Sequence, residues 1–315
     1  MQHVLITGGS GFIGSHLCER FLSEGYAVTA LDNLVTGQKE NIKNVLKHPH
    51  FEFIEQDVCD PIDLRSWKNL KAHGLSGVLH FACPASPIDF EKIPFVILKV
   101  DSIGTMKTVD LAIEHKARYV LASTSEVYGD PLVHPQTEDY WGNVNPVGVR
   151  SCYDEAKRFS EAYVHTARLY SDLNSGIIRI FNTYGPRMRK DDGRVVPELC
   201  MQAIQGKTLT IHGDGSQTRS FCFVDDLVDG IYKMFQSKES GPFNLGNPNE
   251  FTVKEFAEKV VEYTGSKSKL SFIPARADDP KQRKPDITRV QTKLGWNAKV
   301  NLDQGLKKTI EFFNL

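Results

Sequence analysis

The segment Val4-Leu5-Ile6-Thr7-Gly8-Gly9-Ser10-Gly11-Phe12-Ile13-Gly14 decides the fold that this sequence predicts. A short apolar run leads directly into glycines at positions 9, 11 and 14, which is the Gly-x-Gly-x-x-Gly spacing of a dinucleotide-binding turn. Such glycines allow a tight turn and a close approach to a pyrophosphate, and the following helix points its amino terminus at the phosphates. Taken alone, the pattern also fits a glycine-rich turn without a ligand.

An acidic residue follows the next predicted strand. Ala27 to Leu31 has the character of a strand, and Asp32 comes 18 residues after Gly14. A carboxylate there can bind the ribose hydroxyls of an adenosine and would repel a 2′-phosphate, so the sequence predicts NAD rather than NADP, the alternative for Asp32 being a turn cap. The predicted cofactor-binding residues outside the later catalytic motif are Gly8, Gly11, Phe12, Ile13, Gly14, Asp32, Asn33, Asp57, Val58 and Ala82.

Strands and helices alternate through the first two thirds of the chain. Further strands are predicted at Phe51 to Gln56, Gly77 to Phe81, Arg118 to Ala122 and Gly176 to Phe181, and an amphipathic helix from Pro94 to about Glu114. This alternation indicates the α/β class with a doubly wound parallel sheet of the Rossmann type. We expect residues 1–183 and 221–248 to form the NAD-binding domain, and residues 184–220 and 249–315 a smaller, discontinuous C-terminal lobe that binds the substrate.

Composition excludes several classes of function. The 315 residues carry 38 basic and 39 acidic side chains, a balance that argues against nucleic acid as a partner. The six cysteines are spread singly without a Cys-x-x-Cys pair, so we expect reduced thiols and no metal site. Because the chain begins without a basic and apolar leader and has no apolar run long enough to span a bilayer, we expect a soluble cytoplasmic protein without a membrane partner.

The predicted chemistry lies in the stretch Ser151-Cys152-Tyr153-Asp154-Glu155-Ala156-Lys157. Tyr153 and Lys157 are four residues apart and therefore share one face of a helix. A tyrosine with its ordinary pKa of about 10 is a poor base at neutral pH unless a nearby positive charge stabilises its phenolate, and Lys157 can supply that charge. The alternative is a solvated pair on a helix surface.

A hydroxyl-rich turn follows the fifth predicted strand, at Ser123-Thr124-Ser125-Glu126. Ligands of doubly wound sheets bind beyond the carboxyl ends of the strands, so this turn is well placed to meet a substrate. Thr124 can hydrogen-bond a reacting hydroxyl, and Glu126 can act as an acid, a base or a hydrogen-bond acceptor. The other interpretation is a turn that satisfies only its own backbone.

Arginines are scattered through the predicted second lobe. Planar guanidinium groups bind phosphate oxygens bidentately, so these residues suggest a site for the diphosphate of a nucleotide, although single surface arginines are commonly solvated. They are Arg187, Arg189, Arg194, Arg219, Arg276 and Arg283.

These motifs together resemble the extended short-chain dehydrogenase/reductase group, the NAD-dependent epimerase/dehydratase family, whose members rework nucleotide sugars. Residues 7–14 and the Tyr153-x-x-x-Lys157 motif carry the general resemblance. Residues 122–131, 139–146, 151–158 and 213–221 are similar, more narrowly, to the members that decarboxylate UDP-glucuronate. Related 4,6-dehydratases typically have Asp-Glu in place of Ser125-Glu126, and 4-epimerases usually lack a carboxylate at the position of Glu126.

The resemblance implies the conversion of UDP-glucuronate to UDP-xylose through a 4-keto intermediate, with tightly bound NAD recycled. It implies catalytic roles for Thr124, Ser125, Glu126, Tyr153 and Lys157, with the last two also touching the cofactor. Two other functions stay open: a UDP-uronate or UDP-sugar 4-epimerase with the same chemistry, and a cofactor-binding protein without turnover.

The resemblance also implies a substrate site and an assembly. Arg219 and Arg283 would lie near the diphosphate and Thr210 and His212 near the uracil, in a homodimer built on the helices around 94–114 and 153–173. The chain departs from the family pattern at Phe90, Ile93 and Asp101, where relatives usually have Tyr, Asn and Asn. The implied substrate contacts are Pro84, Ser86, Asn182, Arg194, Val195, Thr210, His212, Arg219 and Arg283.

Overall fold

A seven-stranded parallel sheet forms the centre of the molecule in the computed structural model, which describes residues 1–274 and 282–315. The strand order is β11-β6-β5-β4-β1-β2-β3, so the chain steps away from β1 in both directions. The predicted doubly wound sheet is therefore confirmed. The strands are β1 (His3–Thr7), β2 (Ala27–Asp32), β3 (Phe51–Glu55), β4 (Gly77–His80), β5 (Arg118–Thr124), β6 (Ser175–Ile180) and β11 (Phe243–Leu245).

Helices cover both faces of this sheet because alternate residues of the buried strands point to opposite sides. Val4 and Ile6 of β1 belong to one apolar core, whereas Leu5 between them belongs to the other. The helices up to β6 are α1 (Phe12–Ser23), α2 (Lys68–His73), α3 (Pro87–Lys92), α4 (Pro94–Lys99), α5 (Thr105–Glu114) and α6 (Ser151–Tyr170).

The segment predicted as one amphipathic helix from Pro94 is interrupted. Its first part, α4, continues into a π-helical turn at Val100–Gly104 before α5 begins. The helix starts at Pro94, which has no backbone N–H to donate and is therefore well tolerated in a first turn. The hydrophobic period of the sequence does not reveal the wider turn in the middle.

The remaining elements form small sheets and helices beside the main sheet. β9 is the central strand of the sheet β12-β9-β14, and β7 pairs with β10 and β8 with β13. No helix among residues 1–274 and 282–315 is both long and apolar enough to cross a membrane. The further elements are β7 (Thr183–Tyr184), α7 (Val195–Ile204), β8 (Leu209–His212), β9 (Thr218–Ser220), β10 (Cys222–Phe223), α8 (Val224–Gln236), β12 (Glu250–Thr252), α9 (Val253–Thr264), β13 (Leu270–Ile273), β14 (Gln282–Arg283), α10 (Thr288–Leu294) and α11 (Leu302–Phe313).

Candidate active site

One cavity of about 340 Å³ lies beyond the carboxyl ends of the central strands, between the main sheet and the small sheets. This is the edge at which doubly wound sheets bind ligands. All the cofactor, catalytic and substrate residues predicted from the sequence line this cavity. Of the arginines considered above, Arg276 lies outside the described residues.

The glycine turn at one end of the cavity is too tight for side chains. Gly8 has a φ of +69°, and a Cβ there would lie 2.7 Å from the carbonyl oxygen of Phe81. A Cβ on Gly14 would overlap the carbonyl group of Gly8. Gly11 precedes α1, so the helix begins without a side-chain cap at that position, and residues 12–14 of its first turn line the cavity. This cradle fits a pyrophosphate.

Asp32 faces the same turn from the end of β2. Its two carboxylate oxygens accept hydrogen bonds from the backbone N–H of Ser10, at 3.0 Å, and of Leu34, at 2.8 Å. Beside it, the amide of Asn33 donates to the carboxylate of Asp57 at 2.9 Å. Asp32, Asn33 and Asp57 therefore line the cavity beside the glycine turn, and Asp32 brings a carboxylate to that turn.

Tyr153 and Lys157 lie side by side on α6, and both are buried. The Lys157 ammonium lies 5.8 Å from the centroid of the Tyr153 ring and donates to the Ala122 carbonyl oxygen at 3.1 Å. Burial raises the pKa of the Tyr153 phenol, and the Lys157 charge opposes that rise. A hydrogen bond with the Thr124 side chain also lowers this pKa. The alternative of a solvated pair on a helix surface is therefore excluded.

The turn after β5 carries an ionised carboxylate. Glu126 accepts from the Arg150 guanidinium at 2.5 Å and from that of Arg283 at 3.2 Å. Burial alone would raise its pKa, but Arg283 and Arg150 outweigh burial and lower the pKa to about 2. Of the three roles that the sequence allowed for Glu126, this environment suits a hydrogen-bond acceptor, because a carboxyl group with a pKa of about 2 is neither an acid nor an effective base at neutral pH. The Ser125 hydroxyl donates to the same carboxylate at 3.3 Å.

The carboxyl group of Asp154 lies close to Arg150 and Glu126, but its pKa shifts in the opposite direction to that of Glu126. Its carboxylate is 3.8 Å from Arg150 Nε, and one of its oxygens is buried without a hydrogen-bond partner. Burial raises the pKa of Asp154 to about 7, and the negative charge of Glu126 contributes to that rise. The two neighbouring carboxyl groups therefore differ in charge near neutral pH.

Besides Arg283, which pairs with Glu126, three of the predicted second-lobe arginines pair with carboxylates. Arg187 binds Glu19 at 2.6 Å, Arg189 binds Asp89 at 2.8 Å, and Arg194 holds Asp192 through two nitrogens. These pairs occupy guanidinium groups that the sequence had suggested for a diphosphate.

Arg219 and Arg283 lie on neighbouring strands, β9 and β14, as register partners. Both are almost fully buried, and Arg283 also donates to the Ser125 carbonyl oxygen at 2.8 Å. The sequence suggested the diphosphate for Arg283, but its observed contacts are with the Ser125–Glu126 turn. The assignment of both arginines to a diphosphate stays a prediction.

The other predicted substrate residues line the same cavity from several elements. Thr210 is fixed by Gln202, which donates to its hydroxyl at 2.8 Å and accepts from its backbone N–H at 2.9 Å. The Ser86 hydroxyl donates to the Asp192 carbonyl oxygen, which joins the loop before α3 to the segment before α7. Residues that complete the set are Pro84, Asn182, Val195 and His212.

Sequence reasoning missed Arg150 and the contacts of Phe90 and Asp101. The Phe90 ring stacks on Tyr153 with a centroid distance of 4.8 Å. Asp101 forms an ion pair with Lys157 at 2.9 Å and is fully buried. An acidic residue inside a predicted amphipathic helix was a signal for Asp101, whereas Arg150 had no signal beyond its place before the tyrosine motif.

Comparisons with known proteins agree with this geometry. The family model described as GDP-mannose 4,6 dehydratase matches residues 5–309. The chain is 48% identical over 310 residues to UDP-glucuronic acid decarboxylase 4 of Arabidopsis thaliana, covering 98% of this chain and 68% of the relative. It is 45% identical over 313 residues to UDP-glucuronic acid decarboxylase 1 of Danio rerio, covering 99% and 73%.

A solved structure provides the third comparison. UDP-glucuronic acid 4-epimerase from Bacillus cereus, in complex with UDP-glucuronic acid and NAD, superposes with a TM-score of 0.89 at 27% identity, covering 99% of each chain. The whole fold, and with it the relative positions of the main sheet and the small sheets, is therefore shared with an enzyme of the same group.

Proposed function

The chain belongs to the extended short-chain dehydrogenase/reductase family described by the GDP-mannose 4,6 dehydratase model, and from this premise we propose that it decarboxylates UDP-glucuronate to UDP-xylose with bound NAD. Relatives at 45–48% identity over nearly the whole chain carry the name of this activity, whereas the 4-epimerase that binds the same sugar is 27% identical. The epimerase alternative is therefore the weaker one.

The observation that carries the proposal is the cluster of guanidinium groups around the ionised Glu126, beside Tyr153 and Lys157. Three guanidinium groups, those of Arg283, Arg150 and Arg219, act on this one ionised carboxylate. Asp154 adds less than a full negative charge near neutral pH because burial raises its pKa to about 7. A cluster of guanidinium groups next to Tyr153 suits a sugar that carries its own carboxylate, since guanidinium groups bind carboxylates strongly.

The glycine cradle, Asp32 and Lys157 would hold the cofactor. Gly8 and Gly14 lack the side chains that would meet backbone atoms of the turn, so the turn stays tight enough for a pyrophosphate to approach it, and the Asp32 carboxylate suits a ribose diol. The chemistry that NAD supplies when bound is the reversible acceptance of a hydride from C4 of the sugar.

Tyr153 begins and ends the reaction as the proton carrier. As a phenolate it takes the proton from the sugar 4-hydroxyl while C4 is oxidised to a ketone, and the Thr124 hydroxyl hydrogen-bonds the reacting oxygens. Lys157 stabilises the phenolate because its ammonium lies beside the ring. When C4 is reduced again, Tyr153 returns the proton to the 4-oxygen.

Carbon–carbon cleavage follows from the position of the ketone. The C4 ketone is β to the carboxylate on C5, so the bond to that carboxylate breaks, carbon dioxide leaves, and its electron pair forms an enolate. A proton from solvent then adds at C5, and reduction of C4 completes UDP-xylose without net oxidation. Glu126 and Ser125 orient the carboxylate end of the sugar, and enclosure of that end favours its loss.

Product analysis tests the proposal directly. The protein is incubated with UDP-glucuronate, UDP-galacturonate and dTDP-glucose separately, and products are identified by mass and NMR. We expect UDP-xylose and carbon dioxide from UDP-glucuronate, without accumulation of NADH. Formation of UDP-galacturonate with all six sugar carbons retained would establish the epimerase instead.

Two tyrosine variants distinguish an enzyme from a protein that only binds NAD and UDP. Tyr153→Phe removes the proton carrier and should lower the rate by at least about 10²-fold, whereas Tyr232→Phe on α8, which does not line the cavity, should not change it. If Tyr153→Phe turned over UDP-glucuronate at the normal rate, the tyrosine mechanism would be wrong. If neither form produced UDP-xylose while both bound NAD and UDP, a binding protein would be the better account.

The proposal includes a homodimer through α4 and α6. Apolar side chains are exposed along this surface, with Phe95 75% and Tyr170 82% accessible. Phe159 stacks on Tyr163 one helical turn away and extends the same face. Sedimentation should give a dimer for the wild type and a monomer for Phe95→Asp, with Phe272→Asp as an exposed control on β13; a wild-type monomer would contradict this assembly.

A further inference from the structure

The π-helical turn at Val100–Gly104 brings a carboxylate to the back of the catalytic lysine. Asp101 in this turn has no exposed surface. Its carbonyl oxygen accepts a hydrogen bond from the Ser160 hydroxyl of α6 at 2.6 Å, and the same hydroxyl contacts that of Thr105 at 3.1 Å. The backbone at residue 101 is therefore fixed to the helix that carries Tyr153 and Lys157. Single π-helical turns of this kind are frequent at functional sites.

Both carboxylate oxygens of Asp101 have close partners. One lies 2.9 Å from Lys157 Nζ, and the other accepts from the Cys83 thiol at 2.9 Å. Lys157 in turn uses a second donor on the Ala122 carbonyl oxygen, so its ammonium is held from two sides. A unit charge beside a buried ammonium interacts with it strongly because little water screens the pair.

We propose that Asp101 is a positioning residue that holds Lys157 in place and offsets part of its charge, so that Tyr153 becomes an effective base only at a higher pH than an asparagine at position 101 would allow. This inference rests on the proposed function, because that function takes Tyr153 as the base. An asparagine would keep the size of the side chain and an acceptor oxygen for Lys157, but it would remove the negative charge.

The direction of the effect follows from the charges. Burial raises the pKa of the Tyr153 phenol, the Lys157 ammonium opposes the rise, and the Asp101 carboxylate adds to it. Although burial lowers the pKa of Lys157, Asp101 raises it, and the net pKa of the ammonium lies above its ordinary value. Removing the carboxylate should therefore make both groups lose their protons at lower pH.

Other titratable groups face the pair from each neighbouring element, but they add little negative charge at neutral pH. Burial lowers the pKa of His80 to about 3 and raises the pKa of the Cys83 thiol and the Tyr119 phenol, so all three are neutral. Arg194, which acts on Tyr153 from the second lobe, is a cation paired with Asp192. Within this group of neighbours, Asp101 is the anion next to Lys157.

The first test compares the pH dependence of kcat/KM in wild type, Asp101→Asn and Asp110→Asn, with NAD present. Asp110 is exposed on the adjoining α5, so its variant removes the same charge outside the site. We expect both limbs of the Asp101→Asn profile to move to lower pH by about one unit and the Asp110→Asn profile to stay in place. The proposal would be overturned if the Asp101→Asn profile coincided with that of the wild type, or if kcat/KM fell equally at every pH without a shift of the profile.

The second test needs no turnover. Tyrosinate absorbance near the ultraviolet edge is titrated with NAD present in the wild type and in Tyr153→Phe, and the difference gives the ionisation of Tyr153. The measurement is repeated with Asp101→Asn added to both proteins. The midpoint of the Tyr153 ionisation should then lie about one pH unit lower. An unchanged midpoint would contradict the proposal. If Asp101→Asn does not fold, Asp101→Ser removes the same charge with a smaller side chain and is titrated in its place.

The two tests also separate this inference from the proposed function. A protein that gives no UDP-xylose but shows the absorbance shift would retain the link between Asp101 and Tyr153 while losing the proposed reaction. A protein that gives UDP-xylose with identical pH profiles in both forms would retain the reaction and lose the link.

Discussion

The ring of Phe90 stacks on the ring of Tyr153, with the two planes 20° from parallel. The guanidinium of Arg150 lies 5.4 Å from the Phe90 centroid and also binds Glu126. Phe90 therefore contacts both the residue proposed as the base and one of the cations at the uronate end. Leucine at this position would keep an apolar side chain and lose both aromatic interactions.

Phe90→Leu should lower kcat/KM for UDP-glucuronate by roughly tenfold and the free energy of unfolding by about 1 kcal/mol, because stacking and cation–π contacts each contribute on this scale. Steady-state kinetics and urea denaturation measure the two effects. Phe272→Leu, at a half-exposed position of β13, serves as the control. Unchanged kinetics in Phe90→Leu would show that the stacked ring has no part in positioning Tyr153 or Arg150.

Glu126→Gln should lower kcat by roughly 10²-fold, since the amide cannot bind two guanidinium groups as strongly as the carboxylate does. The substitution should also change the response of stability to acid. The folded pKa of Glu126, about 2, lies below its ordinary value of 4.5, so its stabilising contribution is present above about pH 4.5 and is lost as the pH falls toward 2.

Urea denaturation at several pH values checks the second effect. Between pH 6 and pH 2 the wild type should lose up to about 3 kcal/mol more unfolding free energy than Glu126→Gln. The exposed Glu311→Gln should behave as the wild type does. Parallel curves for wild type and Glu126→Gln would mean that Arg150 and Arg283 do not stabilise the ionised form.

Asp32→Ala should weaken NAD binding by roughly tenfold to a hundredfold, because a hydrogen bond to a charged group typically contributes about 1.5–3 kcal/mol. It should weaken NADP binding less, since the carboxylate that repels a 2′-phosphate is gone. Calorimetric titration with both dinucleotides measures the change, and exposed Asp60→Ala is the matched control. An unaltered ratio of the two affinities would contradict the assignment of Asp32 to the ribose.

Gly14→Ala should destabilise the fold by about 1–3 kcal/mol, because its methyl group would overlap the Gly8 carbonyl and push α1 away from the turn. NAD affinity should fall with it. Thermal unfolding and dinucleotide titration check both effects, with Ser23→Ala at the exposed end of the same helix as the control. Normal stability and affinity in Gly14→Ala would show that the turn tolerates a side chain.

The sequence was sufficient to predict the sheet and to predict residues that the fold gathers around one cavity. The glycine spacing and Asp32 depend on local backbone geometry, and the strands that follow have apolar runs of the length that strands need. Tyr153 and Lys157 follow from helix periodicity alone. The predicted bounds of β2, β3, β4 and β5 agree with the structure to within two residues.

Contacts between distant segments could not be predicted in this way. Arg283 reaches Glu126 across 157 positions of sequence, and Arg150 reaches it from a loop without regular secondary structure. The π-helical turn that carries Asp101 interrupts a helix whose apolar pattern is continuous, so periodicity gives no sign of it. These contacts depend on how the elements pack, which the residue pattern of a single element does not determine.

Arg219 and Arg283 are backbone register partners on β9 and β14, so one small sheet carries both arginines. Arg283 is anchored in the small sheet, yet its guanidinium contacts Ser125 and Glu126 at the end of a strand of the main sheet. Any movement that separates the two sheets would carry Arg283 and Arg219 away together and leave Glu126 with Arg150 alone of the three. The cluster of guanidinium groups around Glu126 thus draws on both the main sheet's surroundings and the small sheet, and it is complete only while the two sheets stay in contact.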